Sequence, residues 1–335
     1  MKLNPKIFDK DIEQVPIRKG FGEGLVLAAE KNKNVVGLCA DLTDSTMMNL
    51  FKNKFPERFV EIGIGEQNLA SVASGMSAMG KIPFISSYAM FSPGRNWEQI
   101  RTTICYNDRK VIIAGSHAGV SVGPDGGTHQ AIEDIAITRV IPNMTVISPC
   151  DAIEARKATM AVAESGQKTP VYLRLAREKT PVITSEETPF EIGKAQIFYE
   201  ANKALLKKER ADVGIIATGA LVYKAIMVAR QLEKKGVAVT VLNLSTIKPL
   251  DGEAVKRLAE ETGAIVTVEE HQVAGGMGSA VAEFLTTNMA HPVPMEFIGV
   301  HDKFGQSGTP DELIEHYGMG EAYILKAIEE VVKRK

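Results

Sequence analysis

Short runs rich in Val and Ile alternate along this chain with longer segments in which apolar residues return every three or four positions. That rhythm is the pattern of strands joined by crossover helices in a mostly parallel sheet, so the class is α/β. In the first half it predicts strands near 35–40, 58–62, 82–86, 111–114, 144–148 and 171–175, with helices over 22–31, 68–79, 95–104 and 151–164. Between Ala176 and Asp212 the rhythm fails, where Pro181, Thr184, Ser185, Pro189 and the charged run 203–212 read as a solvated connector. It then resumes, with strands over 212–218, 237–244 and 264–269, helices over 221–235, 251–262 and 276–286, and a closing helix over 317–335. We therefore expect a first domain over 1–190, a linker over 191–211 and a second, smaller domain over 212–335, each a mostly parallel sheet flanked by helices.

Composition narrows the function classes. The 335 residues suit about two domains. Lys+Arg 39 against Asp+Glu 41 gives a net charge of -2, which provides no positive field to gather nucleic acid or acidic membrane. No run approaches the roughly 18 apolar residues that span a bilayer, and the opening MKLNPKIFDKDIEQ lacks the apolar core of a secretory leader. Cys39, Cys105 and Cys150 are odd in number and far apart, without a CxxC pair. That spacing fits neither a disulfide framework nor a zinc site, and the expectation is a cytoplasmic protein with reduced, buried thiols.

Two segments could carry chemistry. The first is Phe59-Val-Glu-Ile-Gly-Ile-Gly-Glu-Gln-Asn-Leu, an apolar strand ending in glycines and entering a helix of small residues. Glu66 then stands at the carboxyl end of a parallel strand, where open α/β sheets bind ligands. A structural role is the other reading, with Glu66 as a first-turn carboxylate complementing the helix dipole. The second segment follows the strand at 111 and holds His117, Asp125 and His129 among several glycines. Histidines and a carboxylate on such a loop suit recognition of a polar substrate or proton transfer, because imidazole donates, accepts and titrates near neutrality. A metal site or a plain surface loop are the alternatives. Arg95 with Arg101, and Arg174 with Arg177, could hold an anion in a forked grip or could form surface ion pairs. The GxxxxGK[ST] and HExxH motifs are missing, and Gly275-Gly-Met-Gly is only a fragment of a dinucleotide fingerprint.

Taken in order, Arg18-Lys19, Ala40-Asp-Leu-Thr-Asp-Ser45, Gly65-Glu-Gln, Tyr88-Ala-Met-Phe91, His117 through Asp125-Gly-Gly-Thr-His129-Gln, Pro142-Asn-Met-Thr, Ser148-Pro-Cys-Asp and Leu173-Arg-Leu-Ala-Arg177 resemble the thiamine diphosphate enzymes. The likeness is strongest to the second half of transketolase and spans nearly the whole chain. It implies a pyrimidine-binding domain followed by a transketolase C-terminal domain. The diphosphate-binding domain of that family carries GDG and a later Asn, which hold a divalent metal, Mg or Ca, and the diphosphate. This sequence has no GDG. By resemblance it is one subunit of a split transketolase, active only with an N-terminal partner subunit that carries GDG and the Asn, in an α2β2 heterotetramer.

The resemblance also implies roles residue by residue. Glu66 matches the carboxylate that bonds the aminopyrimidine of thiamine diphosphate, Phe91 the ring that stacks on it, Tyr88 a neighbouring aromatic, and Asp41 a residue near the thiazolium. His117, Asp125 and His129 match positions that contact the sugar, with proton transfer by His129. Arg18, Ser45 and Arg177 match those that grip a substrate phosphate. The implied reaction moves a two-carbon ketol unit from a ketose phosphate to an aldose phosphate, as in the pentose phosphate pathway. The rivals are the β subunit of a 2-oxoacid dehydrogenase, a detached half of a deoxyxylulose phosphate synthase, and a non-catalytic module that has kept the fold.

Overall fold

Each Val/Ile run read as a strand forms one in the computed structural model, which describes residues 2–335. The first half contributes β1 (Gln14–Pro16), β2 (Val35–Cys39), β3 (Phe59–Glu61), β4 (Ile82–Tyr88), β5 (Ile112–Ser116), β6 (Thr145–Ile147), β7 (Val171–Arg174) and β8 (Lys179–Pro181). The second contributes β9 (Gln196–Glu200), β10 (Val213–Ala217), β11 (Val239–Asn243), β12 (Thr246–Lys248), β13 (Ile265–Gln272) and β14 (Met295–Val300). They form a seven-stranded sheet in the order β12-β6-β7-β5-β4-β2-β3, a five-stranded sheet in the order β14-β13-β10-β11-β9, and a small antiparallel pair, β1 with β8. All pairings within the two large sheets are parallel except β12 on β6 and β9 on β11. The chain is thus two mostly parallel sheets flanked by helices, the expected class. Strands β2, β5, β6, β10 and β11 are buried on both faces, which is why each reads as continuous apolar sequence rather than as alternation.

The segment read as a solvated connector is more structured than its composition suggests. Strand β8 and strand β9 both lie in it, and β9 closes an edge of the second sheet by pairing antiparallel with β11. Such an edge strand needs only one buried face, so Phe198, 5% exposed, anchors it while the charged residues that follow mask the signal. Strand β14 and the helix Pro310–His316 likewise lack a clear apolar rhythm. The expected helix over 95–104 is a short turn, Trp97–Gln99, followed by a π-helical stretch, Ile100–Cys105. Strand β12 comes from the second half of the chain yet completes the edge of the first sheet, so the sheets are stitched together.

The helix Ile17–Lys31 lies against the helix Ala152–Glu164 almost backbone to backbone. A Cβ at Gly20 would fall inside the Ala152 carbonyl group, and one at Gly24 would meet the Arg156 carbonyl oxygen at 2.7 Å. Only glycine permits that approach, and it fixes the start of the first helix, where Arg18 stands. All three cysteines are buried. No helix among the described residues is long and apolar enough to cross a membrane.

Candidate functional site

Five loops leave the carboxyl ends of parallel strands on one edge of the first sheet, the edge at which α/β sheets bind ligands. They follow β2, β3, β4, β5 and β7, and they carry Asp41 and Ser45, Glu66, Phe91 and Arg95, His117 to His129, and Arg177. The sheet therefore gathers residues that are up to 136 positions apart, from Asp41 to Arg177, and the start of the helix Ile17–Lys31 adds Arg18.

Glu66 is the first residue of the helix Glu66–Ala78 and is 1% exposed. Its carboxylate accepts from Arg95 Nη1 at 2.6 Å and from the Ser87 hydroxyl at 3.4 Å. Its carbonyl accepts from Asn96 Nδ2 at 2.9 Å, and Asn96 also donates to the Ser92 hydroxyl at 3.2 Å, so the loop after β4 is tied to the start of this helix. Burial with charged and hydroxyl partners is more than a dipole interaction requires. The Arg95 guanidinium carbon lies 4.7 Å from the centre of the Phe91 ring, so one flat cation touches both the carboxylate and the aromatic face.

Beside this pair the aromatic rings form a continuous shelf. Tyr88 stacks on Phe91 with centroids 6.1 Å apart and on His117 at 3.8 Å. His129 presents its ring at 79° to Phe91 with a centroid distance of 5.6 Å. The two histidines meet because the loop between them closes on itself. Ala118 bridges Ala131 across the loop, and the Gly119 N–H donates to the Ala131 carbonyl at 2.8 Å. His117 itself is held in the left-handed region at φ 58. Burial, with the nearby charges of Arg18, Arg177 and His129 adding to it, pushes the His117 imidazole down to about 3. It is thus neutral at pH 7. Arg18 Nη1 lies 3.3 Å from its Nε2 and the Ser116 hydroxyl 2.9 Å from its Nδ1, which assigns the Nδ1–H tautomer with Nε2 as acceptor.

Arg18 and Arg177 form the cationic end of the shelf. Arg18 Nη1 donates to the Ser45 carbonyl at 2.7 Å, so Ser45 engages it through its backbone. Burial, then the charge of Arg177, lowers the Arg18 guanidinium from its ordinary value. Its Nε is buried without a partner among the described residues. Arg177 donates to the Val122 carbonyl and lies 3.7 Å from Asp125. Two nearby cations with a free buried N–H are the donor set for an anion such as phosphate.

Not every expected residue joins the cluster. Asp41 is exposed at φ 57, and among the described residues its side chain makes no hydrogen bond with the others. Its backbone N–H donates to Glu61 at 2.8 Å. Burial favours a raised Glu61 carboxyl, but the Asp41 and Gly63 N–H groups and the Thr43 hydroxyl outweigh it and hold it below the ordinary value. Glu61 thus fastens the loop after β2 to the loop after β3, a role that sequence reading missed; its only sequence signal is its place at the end of a strand. Ser87, Asn96 and Ser116 were also missed, each a short polar residue beside one that was found. The forked grips do not form as expected. Arg95 turns to Glu66 while Arg101 is exposed, and Arg174 pairs with the buried Asp134 inside the protein.

A buried carboxylate with a donor against it, an adjoining aromatic face and a cationic end fit an aminopyrimidine ring joined to a region that takes phosphate. Among the described residues no group of three or more His, Cys, Asp or Glu is placed to hold a metal ion. The pyrimidine binding domain of transketolase matches residues 13–182, and the C-terminal domain of transketolase matches residues 202–324. A Clostridium sp. protein, the 6-deoxy-6-sulfo-D-fructose transketolase subunit SqwH, is 39% identical over 98% of this chain and 98% of its own. An apulose-4-phosphate transketolase subunit of Phocaeicola vulgatus is 36% identical over 96% of this chain and 98% of its own. Among solved structures, a split gene transketolase described as an inactive beta4 tetramer superposes with a TM-score of 0.85 at 42% identity, over 95% of this chain and 99% of that one. The chain belongs to the transketolase family, as a C-terminal subunit of the split-gene kind.

Proposed function

We propose that this chain supplies the pyrimidine-binding half of a two-subunit transketolase, and that the shelf from Glu66 to Arg177 is its share of the active site. The observation that carries the reading is the buried Glu66 carboxylate facing the aromatic and histidine cluster, with the Arg18 and Arg177 cations at its end. When bound, thiamine diphosphate supplies the nucleophilic carbon that makes and breaks carbon–carbon bonds. Glu66 holds a proton shared with the aminopyrimidine and so sets the tautomer of the ring, while Phe91 and Tyr88 give it a flat seat. His117, kept neutral by burial and neighbouring cations, contacts the sugar's hydroxyls or carbonyl through Nε2, the acceptor it shares with Arg18. His129 and Asp125 stand on the same loop, His129 placed to move a proton and Asp125 to accept from a hydroxyl. Arg18, with Ser45 beside it, and Arg177 grip the phosphate of the sugar, and Asp41 stands toward the thiazolium.

The diphosphate and a divalent metal, Mg or Ca, fall to an N-terminal partner subunit, since this sequence has no GDG. The helix Glu66–Ala78 leaves Ser71, Gly75 and Ala78 exposed, a small-residue face that supports close assembly into an α2β2 complex. The donor is a ketose phosphate and the acceptor an aldose phosphate.

The test is reconstitution with the partner subunit. Two-carbon transfer from xylulose 5-phosphate, in preference to decarboxylation of pyruvate or 2-oxoisovalerate, is the expected result. Glu66→Gln should cut turnover by several powers of ten while the complex still assembles and binds its partner. Near-normal turnover in that variant would remove Glu66 from its assigned role, and preference for a 2-oxoacid would replace the reaction.

A further inference from the structure

We propose that Arg95 is an internal stand-in for the aminopyrimidine, occupying the ring's place when the site is empty and rotating out when the cofactor enters. The proposal rests on the assignment of Glu66 and Phe91 to that ring. The guanidinium is flat, delocalised and rich in N–H donors. In this structure it makes the two contacts reserved for the ring, with Nη1 2.6 Å from Glu66 Oε2 and its carbon 4.7 Å from the Phe91 centroid. The ring and the guanidinium cannot both take that carboxylate oxygen and that face.

The pair is unequal in a way that shows which member moves. The Glu66 side chain is 2% exposed and the Arg95 side chain 43%, so the arginine has a path to water and the glutamate has none. The backbone under Arg95 is pinned. Its N–H donates to the Phe91 carbonyl at 2.9 Å, and the next residue, Asn96, is fully buried and bonded to the Glu66 carbonyl. Displacement is therefore a side-chain rotation with the loop in place. The plug also has a reason to exist, because a buried carboxylate left with only a 3.4 Å hydroxyl contact would be costly in an empty site.

Such a plug lowers the apparent affinity by the fraction of time that it leaves the site open. An arginine in place about nine-tenths of the time weakens binding about tenfold. The test is calorimetric titration of thiamine diphosphate, with Mg, into the complex reconstituted from both subunits, using wild type, Arg95→Met and Arg95→Lys. Arg95→Met should lower the apparent Kd by about fivefold or more. Arg95→Lys, which keeps the charge for Glu66 but not the flat stack on Phe91, should fall between the two and also covers the case in which the Met variant does not fold. An unchanged or weaker affinity in the folded variants overturns the proposal. A complex in which neither wild type nor variants bind the cofactor overturns the assignment of the site itself, and the stand-in with it.

Discussion

Replacing Arg174 by Met should destabilise the chain by about 3–5 kcal/mol, the range for breaking one side of a buried ion pair. The size follows from what is left behind. Arg174 Nε and Nη2 donate to the two oxygens of Asp134 at 2.8 and 3.2 Å, with the arginine side chain 6% and the aspartate 1% exposed. Without the guanidinium, Asp134 keeps only the Tyr172 hydroxyl at 2.6 Å, and a buried charge faces a single neutral donor. Arg174 also donates to the Glu270 carbonyl at 2.7 Å, so the same side chain bonds strand β13 of the second sheet to the first. The decisive comparison is the double variant Arg174→Met with Asp134→Asn, in which the orphaned charge is gone. It should be more stable than Arg174→Met alone, with most of the loss recovered. Urea unfolding at one fixed protein concentration reads this directly. At a slope of roughly 3 kcal/mol per molar the single variant should lower the midpoint by on the order of 1 M or more. A single variant within about 1 kcal/mol of wild type, well below the cost of an orphaned buried charge, would refute the reasoning. So would a double variant whose losses simply add.

Two further outcomes follow from other features. The folded state holds His117 near 3 against an ordinary 6.5, so between those values the unfolded chain takes up a proton that the folded chain refuses. Stability should therefore fall as the pH drops from about 6.5 toward 3, by about 2 kcal/mol at pH 5 from this residue. His117→Asn should remove that part of the difference between pH 7 and pH 5 in urea unfolding; an unaltered difference would show that the imidazole is not excluded from protonation. Gly20→Ala should cost about 1–3 kcal/mol by driving a methyl into the Ala152 carbonyl, as overpacking does. A thermal midpoint equal to wild type would mean that the two helices separate freely.

The central strands were legible because β2, β5, β10 and β11 are buried on both faces and need apolar residues at every position. Strand β9 was not, because its one buried face asks little more than Phe198, and β12 has only three residues. Within the site, Glu66 and the two histidines could be read from a chain that ends apolar strands in glycines and polar groups. The partners of Arg95 and Arg174 could not. An arginine in sequence is a long reach with no direction, and the direction of each is set by a carboxylate 29 or 40 positions away. Glu61 was missed for the same reason, since its value lies in the backbone N–H groups that folding turns toward it.

Strand β12 bears on how the chain is made. Strand β6 offers one side to β7 and the other to β12, which lies about a hundred residues later in the chain, at Thr246–Lys248. During synthesis the first sheet can assemble from its own parallel strands, but the free side of Thr145–Ile147 stays bare until that later segment leaves the ribosome. A growing chain at that stage presents an unpaired edge to its neighbours on the same message, the situation that favours edge-to-edge association. Covering that side of β6 is therefore an act of the second half of the polypeptide, which replaces a long-exposed flank of the first sheet with a three-residue edge strand.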